Sequence, residues 1–195
     1  MRTALALLAC GLAACASPAA PPSPPPAAAG PRLVALPNGD LEADWAAGGR
    51  CAPRWGCKSH ADPGSHRFFL DEVAPAAGKR SLCIERVTRE PWALATLATS
   101  DPALRGARVR FSLDVRVDGV EGGGGAWVLV HGPSGNLHHD QRLVTGKRGW
   151  ERLAIEFTVP ASAQIVEVGA TLEGPGRVCI DDARLEILIP AKNTV

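Results

Sequence analysis

The chain has 195 residues and a formal net charge of +1, with 21 basic and 20 acidic side chains. This balance excludes both a basic surface for nucleic acid and a strong acidic field, so we expect no nucleic-acid partner. The length that remains after a short N-terminal segment suits one domain with a full hydrophobic core.

Residues 1–14 have the organisation of an export signal. Arg2 precedes an apolar run over residues 4–14 that is too short to span a bilayer. The run ends in Leu-Ala-Ala before Cys15, and these four residues resemble the lipobox of bacterial lipoproteins. The resemblance implies cleavage before Cys15, a diacylglycerol on its sulfur and a further acyl chain, such as palmitate, on its new amine. An ordinary secretory signal with Ala-x-Ala cleavage is the alternative.

Residues 15–31 form a predicted tether, because Pro and Ala dominate the stretch after the lipidated cysteine. About 15 Pro-rich residues in polyproline II conformation span about 45 Å. Ala16 stands where lipoproteins of the inner membrane often carry Asp, so the resemblance implies an outer-membrane lipoprotein of the cell envelope. No second apolar run approaches the roughly 20 residues of a membrane span, so we expect membrane contact through the lipid alone. Residues 32–190 are the predicted domain, and residues 191–195 are a C-terminal tail.

Four cysteines remain in the predicted domain: Cys51, Cys57, Cys83 and Cys179. An even number in an exported protein predicts two disulfide bonds, and three pairings are possible. Cys51 and Cys57 close a short loop that contains Pro and Gly. Cys83 and Cys179 each lie between two apolar residues, so neighbouring strands in that register would bring their sulfurs together. A four-cysteine zinc site is the alternative, but the paired Cys-x₂-Cys spacing is missing.

The domain shows alternating segments and almost no helical periodicity. In residues 109–117 apolar side chains alternate with Arg, Ser and Asp, and residues 152–159 repeat the pattern. Further strands are predicted over residues 67–70, 81–86, 93–99, 126–131, 165–172 and 177–188. Residues 122–125 are predicted as a flexible hairpin tip and residues 132–136 as a turn. Many short strands with regular turns predict an all-β fold, an antiparallel β-sandwich or jelly roll.

Six short motifs follow one another through the domain. They are Leu-Pro-Asn-Gly-Asp-Leu-Glu at residues 36–42, Trp45, Gly-Lys-Arg-Ser-Leu-Cys-Ile at 78–84, Arg-Gly at 105–106, Gly-Trp at 149–150 and Val-Cys-Ile-Asp-Asp-Ala-Arg-Leu at 178–185. In this order they resemble the carbohydrate-binding modules with a galactose-binding-like β-jelly roll. The resemblance implies that fold for nearly the whole domain. It implies a function less directly, because similar domains recur as accessory parts of many bacterial proteins.

The same resemblance implies a structural calcium ion (Ca²⁺) between the opening and closing strands. Ca²⁺ binds about six to eight oxygen ligands, so carboxylates from both ends of the domain would form a cage. Carried onto this chain, Glu42 and Asp181 are the expected metal ligands, with Asp40 behind them. The alternative is that these are solvated turn carboxylates.

Modules of this kind stack sugar rings on aromatic side chains, and Trp127 is the expected platform. Both faces of residues 126–131 are apolar, so alternation does not tell which side is buried. The resemblance turns Trp127 outward, onto an open face that arginine and aspartate side chains of the preceding strand would share. The expected ligand-binding residues are Trp127, Arg110, Asp114, Trp92 and His131. A packed core position for Trp127 is the alternative.

Catalysis is not expected. Ser134 does not occupy a Gly-x-Ser-x-Gly elbow, because Asn136 stands where the last Gly should be. The sequence therefore predicts a non-catalytic envelope lipoprotein whose sandwich presents a carbohydrate-binding-like face to glycan. A structural or protein-interaction lipoprotein with no sugar ligand is the second hypothesis. A hydrolase is the third, and it would need convergent carboxylates or a Ser–His pair.

Overall fold

The computed structural model describes residues 30–45 and 49–191. The described chain forms nine strands. They are β1 (Arg32–Val34), β2 (Gly56–Ser59), β3 (His66–Asp71), β4 (Ser81–Arg86), β5 (Trp92–Thr99), β6 (Arg108–Gly132), β7 (Gly135–Thr158), β8 (Ile165–Glu173) and β9 (Arg177–Ile189). A 3₁₀ turn, Pro102–Leu104, separates β5 from β6. Within these residues no helix has the length and apolar character needed to cross a membrane.

The nine strands form one continuous antiparallel ladder, which folds over at β6 and β7 into two layers that we call the first and the second sheet. The first sheet has the order β3-β4-β9-β6-β7, with β1 also paired to β9, and the second has the order β2-β5-β8-β6-β7. The first half of β6 pairs with β9 and its second half pairs with β8, while β7 follows β6 through both sheets. The predicted all-β, antiparallel β-sandwich is confirmed.

The β6–β7 ribbon folds over one end of the sandwich, and we call this the fold-over end. Register shifts between Val117 and Gly124 mark the place where the ribbon leaves the first sheet. Gly119 has a φ of 63° there, a conformation that glycine adopts without strain. The prediction of a hairpin tip at residues 122–125 is wrong, because the strand bends at these glycines and continues to pair with β7.

The turn predicted at residues 132–136 is confirmed. Gly132 pairs with Gly135, so Pro133 and Ser134 form a two-residue hairpin between β6 and β7. Pro cannot donate a ladder hydrogen bond, and it occurs here outside the strands.

The core lies between the two sheets, and alternation decides which side chains enter it. In the first half of β6 the core side chains are Val109, Phe111, Leu113 and Val115, all fully buried. In its second half they are Ala126, Val128 and Val130, and β8 adds Val166, Val168, Ala170 and Leu172. Burial of each large apolar side chain contributes about 1.5–3 kcal/mol to folding.

Both predicted disulfide bonds are confirmed. Cys51 bonds to Cys57, and Cys83 bonds to Cys179. The second pair lies directly opposite in the register of β4 and β9, with 4.0 Å between the Cα atoms. It belongs to the outer face of the first sheet, where Arg116 Nη2 is 3.7 Å from Cys179 Sγ.

The N-terminal side of the domain enters at the end of the sandwich opposite the fold-over. Arg32 in β1 pairs with Ile187 of β9, next to Ile189, which pairs with Arg108 at the start of β6. β1, which follows the predicted tether in sequence, therefore begins at this end. Cys15, the predicted export signal and residues 16–29 of the predicted tether lie outside the described residues.

Candidate functional site

A cleft of about 430 Å³ lies on the outer face of the second sheet. β6 contributes Trp127, Leu129 and His131 to it, because these side chains alternate with the core residues of the same strand. The structure thus turns Trp127 away from the core cluster, toward the outer face with His131, but its side chain is almost fully buried there. We call this surface the tryptophan cleft.

Two indoles lie along the tryptophan cleft. Trp92 begins β5 and pairs with Glu173, whereas Trp127 lies two strands away and pairs with Gly169. Strand geometry places their Cα atoms about 16 Å apart, on a diagonal across the sheet. Trp92 is half-buried, while Trp127 is only 7% exposed, with His139 at its ring edge 5.7 Å between centroids. Trp92 therefore offers the more accessible aromatic surface.

A fixed carboxylate stands at the other side of the cleft. Glu167 Oε2 lies 3.0 Å from His131 Nε2, and Oε1 accepts a 2.6 Å hydrogen bond from Thr96 Oγ1. Because both oxygens have a partner, the carboxylate is held in one orientation. The Lys58 ammonium lies 5.9 Å from the centre of the Trp92 ring, and Gln141 is exposed on β7.

These groups together can bind a polyhydroxylated ligand. An indole face offers an apolar surface for the C–H side of a pyranose ring, and the carboxylate, amide and ammonium can exchange hydrogen bonds with hydroxyl groups. A concave site lined by aromatic side chains with a few placed polar groups has the general composition of a small-ligand site.

The structure separates two of the expected ligand-binding residues from this cleft. Arg110 and Asp114 lie on the first half of β6, where they pair across the ladder with β7 residues of the first sheet. Arg110 Nη2 is 2.7 Å from Glu156, and Asp114 is 3.2 Å from Arg152. The expectation that they share the face of Trp127 is wrong, because β6 folds over from one sheet to the other between them.

Both carboxylate oxygens of Asp181, an expected calcium ligand, accept hydrogen bonds from backbone N–H groups. Its Oδ2 accepts hydrogen bonds from the N–H groups of Ala76 (2.9 Å) and Ala77 (3.0 Å), and its Oδ1 accepts one from Asp182 (2.7 Å). These contacts tie β9 to the loop that precedes β4. N–H groups present positive charge to the carboxylate at the positions where a cation would bind.

Glu42 anchors the same loop from the other end of the domain. Its Oε1 accepts hydrogen bonds from the N–H groups of Lys79 (2.8 Å) and Arg80 (3.2 Å), while Asp40 contacts the Glu42 N–H at 3.4 Å. The chain ends are brought together as expected, but through N–H donors rather than an oxygen cage. N–H donors stand where a calcium ion would need further oxygen ligands, so this arrangement does not fit the ion, and we expect the wild type to bind none here.

A Ser–His pair is present, but without the third member of a hydrolytic site. Ser59 Oγ lies 3.1 Å from His66 Nδ1, and both residues are buried. The buried His66 Nε2 has no hydrogen-bond partner among the described residues, and the nearby Asp62 carboxylate accepts from Ser65 instead. Within residues 30–45 and 49–191 no carboxylate accepts a hydrogen bond from the imidazole, so the pair lacks the arrangement of a catalytic triad there.

Sequence reasoning missed Glu167, Lys58 and Gln141. Glu167 was visible only as an outward-facing residue of the predicted strand over 165–172. The contact between Glu167 and His131 forms because β8 pairs with β6, and no sequence pattern predicts that these two strands are neighbours.

No protein-family model matches the chain. One curated protein is similar over 85 residues at 28% identity, the HTH-type transcriptional regulator YbfP of Bacillus subtilis. The match covers 42% of this chain and 29% of that regulator, so the chain spans less than a third of its relative's length.

Solved structures resemble the whole domain. The CBM22-1 xylan-binding domain of Paenibacillus barcinonensis Xyn10C matches with a TM-score of 0.62 at 14% identity, over 85% of this chain and all of that one. The C-terminal family 22 module of Clostridium thermocellum Xyn10B matches with a TM-score of 0.53 at 20% identity, over 73% of this chain and 88% of the module. The chain has the β-sandwich fold of carbohydrate-binding modules. A third module, TmCBM61, solved with β-1,4-galactotriose, matches with a TM-score of 0.51 at 16% identity, over 77% of this chain and 95% of that one.

Proposed function

We propose that the protein is a non-catalytic lipoprotein of the cell envelope that binds glycan in the tryptophan cleft. The observation that carries the proposal is the cleft itself, where two indoles and an oriented carboxylate share one concave sheet face. The similar solved modules support the choice of ligand class, since one is described as xylan-binding and another was solved with a β-1,4-linked galactotriose.

The diagonal of the two indoles suits a linear glycan lying across the strands. A chain of several sugar units would contact Trp92 at one end and reach His131 and Glu167 at the other. A single monosaccharide would contact only one of these groups, so we expect affinity to rise with chain length.

Calorimetric titration with xylo-oligosaccharides and β-1,4-galacto-oligosaccharides tests the proposal. We expect Trp92→Ala to weaken binding at least about tenfold, which corresponds to about 1.4 kcal/mol. Trp92 is chosen over Trp127 because its ring is half-buried, so its truncation is less damaging to the fold. Glu167→Gln, which keeps the shape of the side chain, should weaken binding as well.

Trp150→Phe is the matched control. Trp150 lies on the other sheet, where its Nε1 donates to the Ala74 carbonyl oxygen and its ring packs against Arg116. This variant should bind the oligosaccharides like the wild type. If no oligosaccharide binds, or if Trp92→Ala binds as tightly as the wild type, glycan binding in this cleft is refuted.

The placement in the envelope rests on the lipobox-like sequence before Cys15 and on the Pro/Ala-rich tether. In an outer-membrane lipoprotein this tether would hold the domain about 45 Å from the bilayer, far enough for the cleft to meet envelope or external glycan. β1, the first strand after the tether in sequence, begins at the end of the sandwich opposite the fold-over end.

A further inference from the structure

A second concave surface lies on the outer face of the first sheet, on the opposite side of the sandwich from the tryptophan cleft. It has a volume of about 540 Å³ and lies toward the fold-over end. The Cys83–Cys179 disulfide lies at its base, and we call it the disulfide groove. It is distinct from the surface proposed to bind glycan.

Phe69 and the Cys179 end of the disulfide bond give the floor of the disulfide groove its apolar surface, and Arg116 lies beside Cys179 on the next strand. At the mouth stands Val73, which is 93% exposed and is the most exposed large hydrophobic side chain in the described chain. Apolar surface thus continues out of the groove onto the surrounding face.

Cationic side chains of two kinds border this floor. Arg116 is fixed, because it pairs with Asp71 and packs its guanidinium 5.0 Å from the centre of the Trp150 ring. Arg177 is fixed in the same way by Glu85, at 2.9 Å. Both arginines keep donors that these acids do not use, since a guanidinium carries five N–H groups.

Lys147 and Arg148 border the groove where β7 folds over, and each forms only a weak, solvent-exposed ion pair. Their side chains are 82% and 54% exposed, and their nearest carboxylates, Asp118 and Glu151, lie 3.5 and 3.7 Å away. Exposed ion pairs of this kind contribute little, so these cations can exchange partners at small cost.

We infer that the disulfide groove docks an acidic polypeptide segment of a partner protein, with an apolar side chain on the floor and carboxylates facing Lys147 and Arg148. An apolar centre with a charged rim is the composition of a protein interface, and arginine is enriched in such surfaces. The exposed Val73 favours a polypeptide over a small molecule, because a ligand confined to the groove would leave this side chain in water. A neutral glycan is disfavoured because it offers no carboxylate to Lys147 and Arg148, the exposed cations of the rim.

The inference is tested by binding of fluorescent peptides to the full mature domain. The probe peptide carries one Phe between acidic residues, and two matched peptides replace either the Phe with Ser or the acidic residues with Lys. We expect the probe to bind and the two matched peptides not to bind. Binding of the probe should weaken several-fold in about 0.5 M NaCl, because salt screens the charges of the rim. Lys147→Glu with Arg148→Glu should weaken it at least tenfold, and Val73→Ser at least threefold.

Arg54→Glu with Arg89→Glu is the control for charge, because it makes the same change at two exposed arginines outside the groove. This variant should bind the probe like the wild type, and the Lys147/Arg148 variant should still bind oligosaccharide in the cleft. Absence of probe binding overturns the inference without touching the glycan proposal. The inference would also be overturned if the Ser peptide bound as tightly as the probe, or if the control variant weakened binding as much as the Lys147/Arg148 variant. Displacement of the bound probe by polygalacturonate but not by unlabelled peptide would overturn it as well.

Discussion

Asp181 shows how one buried carboxylate can hold two distant parts of the chain together. It is 1% exposed and accepts three backbone N–H groups, two of them from the loop before β4. An amide at this position would turn its NH₂ group toward an N–H in either orientation. We therefore expect Asp181→Asn to lower the free energy of unfolding by about 2 kcal/mol in urea denaturation.

Asp40→Asn is the control for this change, because Asp40 is exposed and makes a single 3.4 Å contact with a backbone N–H. Its cost should stay within about 0.5 kcal/mol. Calcium should not raise the melting temperature of the wild type, since N–H groups already bind these oxygens. A calcium-dependent rise of several degrees that Asp181→Asn abolishes would contradict this account and support the cage.

His66 couples stability to pH. Burial of the imidazole, reinforced by the Arg86 cation, lowers the pKa of His66 below its ordinary value of about 6.5. As pH falls below about 6.5, the unfolded chain takes up a proton that the folded protein resists, so the free energy of unfolding decreases. Equilibrium unfolding at pH 7.5 and pH 5.5 should show this loss in the wild type and a smaller loss in His66→Gln. Equal losses in the two proteins would show that His66 is not responsible.

At the level of residues, the sequence could predict which side of a strand a side chain occupies, but not which side chains of other strands lie next to it. The pairing of Cys83 with Cys179 follows from their positions within two strands. The outward direction of Trp127 was implied only by the family resemblance, because both faces of its segment are apolar. Arg110 and Asp114 face outward as well, yet they lie on the other sheet. Alternation tells which face of a strand a side chain occupies, and it carries no information about which sheet that part of the strand has joined.

The two disulfide bonds close loops of very different length, so they should contribute differently to stability. Cys83 and Cys179 are 96 residues apart, whereas Cys51 and Cys57 are six apart. In the chain-entropy model the long loop is worth about 4–5 kcal/mol and the short loop about 2 kcal/mol. We expect Cys83→Ala with Cys179→Ala to lower the free energy of unfolding by roughly twice as much as Cys51→Ala with Cys57→Ala. Equal costs would show that native packing, and not loop closure, sets the contribution of the bonds.

Among the elements, the β6–β7 ribbon is the one that the sequence predicted least well. Residues 109–117 and 126–131 of β6 were predicted as separate strands, with the glycines at residues 122–125 between them interpreted as a turn. Glycine is compatible with a turn and with a sharp bend in a continuing strand, so local composition could not separate the two. A Cβ on Gly122 would lie 2.4 Å from the Glu173 carbonyl oxygen, so close packing against β8 accounts for a glycine there.

The short strands β1 and β2 were also not predicted. Arg32–Val34 and Gly56–Ser59 have three and four residues, too few for alternation to be recognised. Their pairing with β9 and β5 is a tertiary property, since each only adds to a strand that is already in place. By contrast, β4 matches its predicted range, because its residues alternate and carry the disulfide.

As a whole molecule, the protein presents two chemically different faces on one sandwich. The tryptophan cleft has an aromatic surface that we propose binds glycan, and the disulfide groove has an apolar floor with a cationic rim. A tethered domain with two such faces could join a glycan to a protein in the envelope. Binding at one face should be independent of the other, because the core and both sheets separate them.

The proposed anchoring through Cys15 concerns the whole chain and can be tested directly. When the protein is expressed in a Gram-negative host, the wild type should incorporate labelled palmitate and fractionate with the outer membrane. Cys15→Ser should lose the label and appear as an unprocessed or soluble form, because only a cysteine sulfur accepts the diacylglycerol. An unlabelled wild type would show that the N-terminal segment is an ordinary secretory signal.

The central claim is that glycan binds in the tryptophan cleft, and mapping by NMR tests it most directly. Five tryptophans give five indole N–H signals, so each can be followed during titration with xylohexaose or a β-1,4-galacto-oligosaccharide. We predict saturable shifts of the Trp92 and Trp127 signals, while the Trp150 signal on the opposite sheet stays in place. A spectrum unchanged by every oligosaccharide, or shifts confined to Trp150, would contradict the claim.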